Sequence, residues 1–185
     1  VRLLRETYRY DAVGIDLTAE ANRPYLVRGD AAHLPWMPES FDAVMLECSL
    51  SRMEEPDTVL REIRRVLRPA GAILLSDLYT RGERITFCGQ VGRVERLEEQ
   101  LRRLAAAGFR AGSLAFHDEA LISYWASLVF DQGMERACRC LGIDGGRDVS
   151  KWGYYSAVLF PPPADQCKLP GGEGYDALRR SAVPP

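Results

Sequence analysis

Ala43-Val44-Met45-Leu46, then Asp57 to Leu67, then Ala72-Ile73-Leu74-Leu75 is the stretch whose reading decides the fold. The outer segments are short, uniformly apolar runs, a pattern that predicts strands buried on both faces. Between them Val59, Leu60, Ile63, Val66 and Leu67 recur at helical spacing. Arg68-Pro69-Ala70-Gly71 then stops the helix, because proline and glycine do not continue one. A helix of this length between two strands is a crossover, so the strands are expected to run parallel.

Further elements follow on either side. Ala12 to Ile15 and Tyr25 to Val27 read as upstream strands, with Pro24 in a segment that is short for a crossover helix. Downstream, Val94 to Ala107 predicts a helix with Leu97, Leu101 and Leu104 on one side and a stop at Gly108. A strand near Ser113 to Phe116, a helical stretch from about Ala120 to Cys138 and a strand from Tyr154 to Phe160 complete the alternation. That order implies an α/β layered fold with a largely parallel sheet. Pro161-Pro162-Pro163 opens a Gly/Pro-rich stretch to Pro185, so residues 1–160 are expected to form the domain and residues 161–185 a disordered tail.

Composition narrows the function. With 185 residues, 46% hydrophobic and 27% charged, the chain can bury one core. A net charge of -2 with interspersed basic residues disfavours nucleic acid and anionic membrane as partners. No apolar run approaches the roughly 18 residues of a spanning helix. The residues from Val1 to Glu6 have no signal-like apolar stretch, so a cytoplasmic protein is expected. Cys48, Cys88, Cys138, Cys140 and Cys167 are odd in number and scattered, which predicts reduced thiols.

In open α/β sheets ligands sit beyond the carboxyl ends of the strands, and three such ends carry acids. Asp16 closes Val13-Gly14-Ile15, Asp30 follows Leu26-Val27-Arg28-Gly29, and Glu47 ends Val44-Met45-Leu46. A carboxylate at the first place can accept two ribose hydroxyls, and one at the second can accept an adenine amino group. Either aspartate can equally cap the turn that follows it.

Taken in order, Val13-Gly14-Ile15-Asp16, Arg28-Gly29-Asp30-Ala31, Leu34-Pro35 before Glu39-Ser40-Phe41-Asp42-Ala43-Val44, and Val66-Leu67-Arg68-Pro69-Ala70-Gly71 resemble the class I S-adenosylmethionine-dependent methyltransferases. The likeness is to the small-molecule branch that includes the ubiquinone-biosynthesis enzymes, and it is close over Ala12 to Tyr79. It implies a Rossmann-like three-layer fold, a mostly parallel sheet with an antiparallel last strand, and S-adenosyl-L-methionine as cofactor. It also implies that Asp16 meets the ribose, that Leu17 and Asp30-Ala31 flank the adenine, and that Glu47-Cys48 faces the sulfonium. Glu47-Cys48-Ser49-Leu50-Ser51, Ser76-Asp77-Leu78-Tyr79 and Gly153-Tyr154-Tyr155 resemble a narrower set of uncharacterised methyltransferases, which supplies no acceptor.

One departure stands out. The family opens with a first strand and a glycine-rich turn, and the first family-like element here is the second strand. Since the family's first strand is central, its absence would leave a gap of roughly 10 Å lined with unpaired backbone groups. Either residues precede Val1 in the full protein, the expectation the intact downstream features favour, or the flanking strands pair directly around a remodelled pocket.

The acceptor side is expected at Cys48, Asp77 and Tyr79, with Glu47 or His117 as proton acceptor; His33, in the loop after Asp30, reads as structural. A thiophilic substrate would need Cys48 joined by Cys88 or by Cys138 and Cys140. C-x-C is not a usual zinc spacing, and no metal site is expected. The expected activity is methyl transfer to a small-molecule acceptor. The alternatives are a noncatalytic methyltransferase-like binding domain and a fragment that cannot hold the cofactor without upstream residues.

Overall fold

The computed structural model describes residues 1–20, 23–86, 93–141 and 151–162. The crossover is present: β3 (Phe41–Glu47) and β4 (Leu67–Thr80) are parallel and joined by α2 (Pro56–Val66). Pro56 begins that helix, where its fixed φ is suited and its missing N–H costs nothing. The expected stop at Arg68 to Gly71 becomes a bulge instead. Phe41 pairs with Leu67 but Ala43 with Ala72, so Arg68, Pro69 and Ala70 are pushed out and exposed, which is where a strand tolerates proline.

β8 (Trp152–Phe160) runs antiparallel to β4, and β7 (Arg110–Phe116) runs antiparallel to β8, giving the order β3-β4-β8-β7. β1 (Gly14–Asp16) and β2 (Leu26–Arg28) form a separate parallel pair, and β5 (Ile85–Thr86) and β6 (Arg93–Val94) a small antiparallel ribbon. Within the four-stranded sheet only β8 is reversed. The expected mostly parallel sheet with an antiparallel last strand is therefore what the chain forms. Among the described residues β1 pairs with β2 alone and β3 with β4 alone, so direct pairing across the expected gap does not occur.

One face of the main sheet is covered. Val59, Leu60 and Ile63 of α2 and Leu101 and Leu104 of α3 (Leu97–Ala106) pack on Leu46, Ile73, Leu75, Tyr155, Ala157 and Leu159. Burial on both faces is corrected for β3 and β4: on the opposite face Met45 is 51% and Leu74 38% exposed. The apolar runs are uniform, but only alternate side chains find a helix to lie against.

The expected helix from Val94 begins later, at Leu97, because Arg93 and Val94 pair with β5. The stretch from Ala120 to Cys138 is two helices, α4 (Asp118–Gln132) and α5 (Met134–Leu141), divided at Gly133 with φ +79°. Leu121, Trp125 and Cys138 pack around Val94 and Trp152, while Ile122, Tyr124 and Phe130 of α4 remain exposed. Residues 163–185, most of the expected tail, lie outside the described residues.

Candidate functional site

Asp16 ends β1, Asp30 follows β2 by two residues and Glu47 ends β3; the two aspartates are bonded to the turns that follow them. One carboxylate oxygen of Asp16, Oδ1, accepts both the backbone N–H and the hydroxyl of Thr18, each at 2.7 Å. These two bonds hold the exposed carboxyl below the usual aspartate range. Asp30 Oδ1 accepts the Ala32 N–H at 2.9 Å, and Oδ2 lies 3.6 Å from His33 Nδ1. The turn-capping and ligand readings are therefore compatible, since each aspartate spends Oδ1 on its turn and its other oxygen, at Asp30 the one near His33, is not used by that turn. Leu17 is 66% exposed beside Asp16, Ala31 is half-buried, and Glu47 is exposed at the end of β3.

A bound S-adenosylmethionine can be tested against this donor set. Its adenosine half fits: two exposed carboxylates close adjacent parallel strands, and an apolar side chain lies beside the first of them. Among the described residues, no glycine-rich turn runs beside these strands to approach the amino-acid half.

Beyond Glu47 the chain turns sharply. Cys48 has φ +45°, and its N–H donates to the Ser76 carbonyl at 2.8 Å, which keeps it attached to the end of β4. The residue is exposed, and desolvation and the nearby Asp77 charge push its thiol up. Tyr154, half-buried, is in turn pushed up by burial, and its N–H donates to Asp118 Oδ1 at 3.0 Å. His117 directly follows β7; its Nε2 lies 2.8 Å from Ser156 Oγ, and its N–H donates to the Tyr154 carbonyl at 2.7 Å.

Asp77 and Tyr79 point the other way. Asp77 is 1% exposed on the helix-covered face, accepts the Ser51 and Leu78 N–H groups at 2.8 Å each, and is pushed up by burial. Tyr79 is buried edge-on against Phe116 and Tyr155, with its hydroxyl between Arg81 and Asp118. Ser76 and Leu78, the alternate positions of the same strand, lie on the other face, where Leu78 packs against Val94 and Trp152 together with Leu121 and Trp125. Ser76, Tyr154 and Ser156 are thus polar groups that strand ends alone did not mark. The period-two alternation around Asp77 and Gly153 was the signal available for them.

Among the described residues, no group of three His, Cys, Asp or Glu side chains could hold a metal ion. Cys48 and Cys138 are free thiols; Cys88, Cys167 and the side chain of Cys140 lie outside the described residues. The shared-thiolate idea is therefore not tested by the geometry. No described helix is long and apolar enough to cross a membrane.

An open α/β sheet with acids beyond the carboxyl ends of its parallel strands defines a Rossmann-like, nucleotide-cofactor type of domain. Residues 1–75 match the family model described as a methyltransferase domain. Over those residues the chain is similar to class I S-adenosylmethionine-dependent methyltransferases. It is 43% identical over 53 residues to the methyltransferase GfsG of Streptomyces halstedii, a match covering 29% of this chain and 19% of that one. It is 32% identical over 68 residues to a demethylmenaquinone methyltransferase of Streptomyces avermitilis, covering 36% and 29%. In fold it is similar to the O-methyltransferase from a trans-AT PKS multienzyme of Brevibacillus brevis, solved with S-adenosyl-L-homocysteine, with a TM-score of 0.58, 13% identity and coverage of 84% and 55%. The matches thus span less than a third of these curated relatives and about half of that solved chain.

Proposed function

We propose that the chain serves S-adenosylmethionine-dependent methyl transfer to a small-molecule acceptor. The observation that carries this reading is the pair of exposed acids at and just beyond the ends of the parallel strands β1 and β2, Asp16 and Asp30, with Glu47 exposed at the end of β3. When bound, the cofactor would supply the electrophilic methyl group. The chain's own contribution is to bind and orient: the free oxygen of Asp16 holds ribose hydroxyls, Asp30 accepts from the adenine amino group, and Leu17 and Ala31 border the ring. Glu47 and Cys48 flank the place where acceptor and methyl group meet. A cytoplasmic setting belongs to the same proposal and rests on the odd, scattered cysteines.

Titration calorimetry with S-adenosylhomocysteine tests it. Micromolar binding is expected, weakened about tenfold or more by Asp16→Ala, because a hydrogen bond to a charged acceptor is worth about 1.5–3 kcal/mol. The second reading is a noncatalytic domain of the same fold, since among the described residues no glycine-rich turn runs beside β1 and β2. It predicts a folded sample that gives no heat with the ligand.

A further inference from the structure

Residues 29–40, between β2 and β3, form no helix or strand, yet their middle is bonded to side chains of α2 at three backbone groups. Glu62 Oε2 accepts the Leu34 N–H at 2.9 Å, while Arg65 donates from Nη2 to the Leu34 carbonyl at 2.9 Å and from Nη1 to the Trp36 carbonyl at 2.7 Å. The two side chains are also locked to each other, Arg65 Nε on Glu62 Oε1 at 2.8 Å and Nη2 on Oε2 at 2.7 Å. All the guanidinium nitrogens and both carboxylate oxygens are thereby engaged. The Arg65 carbonyl takes the Glu39 N–H at 3.0 Å as well. The hydrogen bonds from Arg65 hold the Glu62 carboxyl below the usual glutamate range, so the pair keeps its charge near neutral pH.

A partly exposed ion pair contributes little stability by itself, so what this one does is fix a loop. Loops ordinarily leave such backbone groups to water. Here Leu34 is pinned at both its N–H and its carbonyl, and its side chain packs on the core with Ala31 and Ala32. Directly before it lies the Asp30 turn, in which Oδ1 accepts the Ala32 N–H and the Asp30 carbonyl accepts the His33 N–H at 3.0 Å. We propose that Glu62 and Arg65 are positioning residues for the cofactor's adenine, holding the loop so that Asp30 stays aimed at the amino group and the site tells adenine from its deaminated form. This role rests on the methyltransferase reading above and adds what sets the base specificity of that site. A carboxylate fixed in place accepts from the 6-amino group of adenine and repels the 6-oxo group of hypoxanthine, which offers a lone pair at the same place. On a slack loop the carboxylate gains less from the first and loses less to the second. Lysine cannot stand in for Arg65, because an ammonium has no planar fork to reach Leu34, Trp36 and Glu62 together.

The test needs no turnover. S-adenosylhomocysteine and its deaminated counterpart, S-inosylhomocysteine, are titrated into the wild type, Arg65→Gln, Arg65→Lys and Asp16→Ala. The wild type should prefer the adenine ligand about tenfold or more, the worth of a hydrogen bond to a charged acceptor. Both Arg65 variants should reduce that preference to about threefold or less, chiefly by weakening S-adenosylhomocysteine. Asp16→Ala, which touches the ribose contact, should weaken both ligands alike and leave the preference as it was. Amide exchange of residues 31–36, read by mass spectrometry on the same samples without ligand, should speed up in the Arg65 variants while that of β4 stays unchanged.

A preference that survives in the Arg65 variants, or a loss of affinity shared equally by the two ligands, overturns the proposal; so does unchanged exchange at residues 31–36, or a wild type that binds both ligands equally well. Should Arg65→Gln fail to fold, Arg65→Lys, which keeps the charge and the aliphatic stem, decides the matter. A folded wild type that binds neither ligand sinks the methyltransferase reading itself, and the adenine role with it. Binding in the wild type with a preference indifferent to Arg65 sinks the positioning role alone.

Discussion

Glu95 is 3% exposed and receives the guanidinium groups of Arg84 and Arg103, with Arg93 at 3.9 Å. Burial alone would raise its carboxyl, but the hydrogen bonds from Arg103 and Arg84 outweigh that and hold it below the usual range. A depressed acid stabilises the fold fully above its unfolded pKa, about 4.3, and loses that contribution as the pH falls through its folded value. Glu95→Gln should therefore cost about 1.5–3 kcal/mol in urea unfolding at pH 7, since Arg103 loses its buried carboxylate partner and keeps only Asp57. The gap between wild type and variant should close in acid; a gap that stays constant to pH 3 would show that packing, not charge, holds this residue. Glu95 was not legible in the sequence, because nothing local announces that three arginines converge on it. Asp16 and Asp30 were, because an acid at the end of an apolar run is a local pattern. Their double use, one oxygen for the turn and one for solvent, became visible only with coordinates.

At the scale of elements the contact between β4 and β8 is the one most exposed to a single substitution. A Cβ added at Gly153 would lie 2.2 Å from Cε1 and Cζ of Tyr79, a ring held by Phe116, Tyr155, Arg81 and Asp118. Gly153→Ala should lower stability by about 1–3 kcal/mol and the thermal midpoint by several degrees. An unchanged midpoint would mean that the ring can swing away. The strand itself was readable from its alternation, and so were α2 and its apolar stripe. The bulge at Arg68 to Ala70 was not, because a Pro-Gly turn and a proline pushed out of a ladder share one sequence signature. The break in the late helix was marked by Gly133, yet an isolated glycine inside a helical pattern is also tolerated.

For the whole molecule the decisive feature is the division of the sheet. Among the described residues β1 and β2, three residues each, pair only with one another, whereas β4 lies between two partners and under two helices. Two short strands without further pairing are marginal by themselves, while a strand bonded on both edges opens only with the domain. Amide hydrogen exchange on the chain of 185 residues should therefore be slowest in β4 and β8. In β1 and β2 it should be faster by on the order of a thousandfold or more. S-adenosylhomocysteine, if it bridges Asp16 and Asp30 as proposed, should slow exchange in β1 and β2 and leave β4 unchanged. Uniform protection without ligand would show that the two pieces of sheet are energetically one. The alternation of elements foretold the fold class. It could not foretell which face stays bare, because uniform apolar runs such as 43–46 and 72–75 read alike whether one layer of helices covers them or two. On that second face Met45 and Leu74 stay exposed, whereas Leu78 and Trp152 are covered by Leu121 and Trp125 of α4.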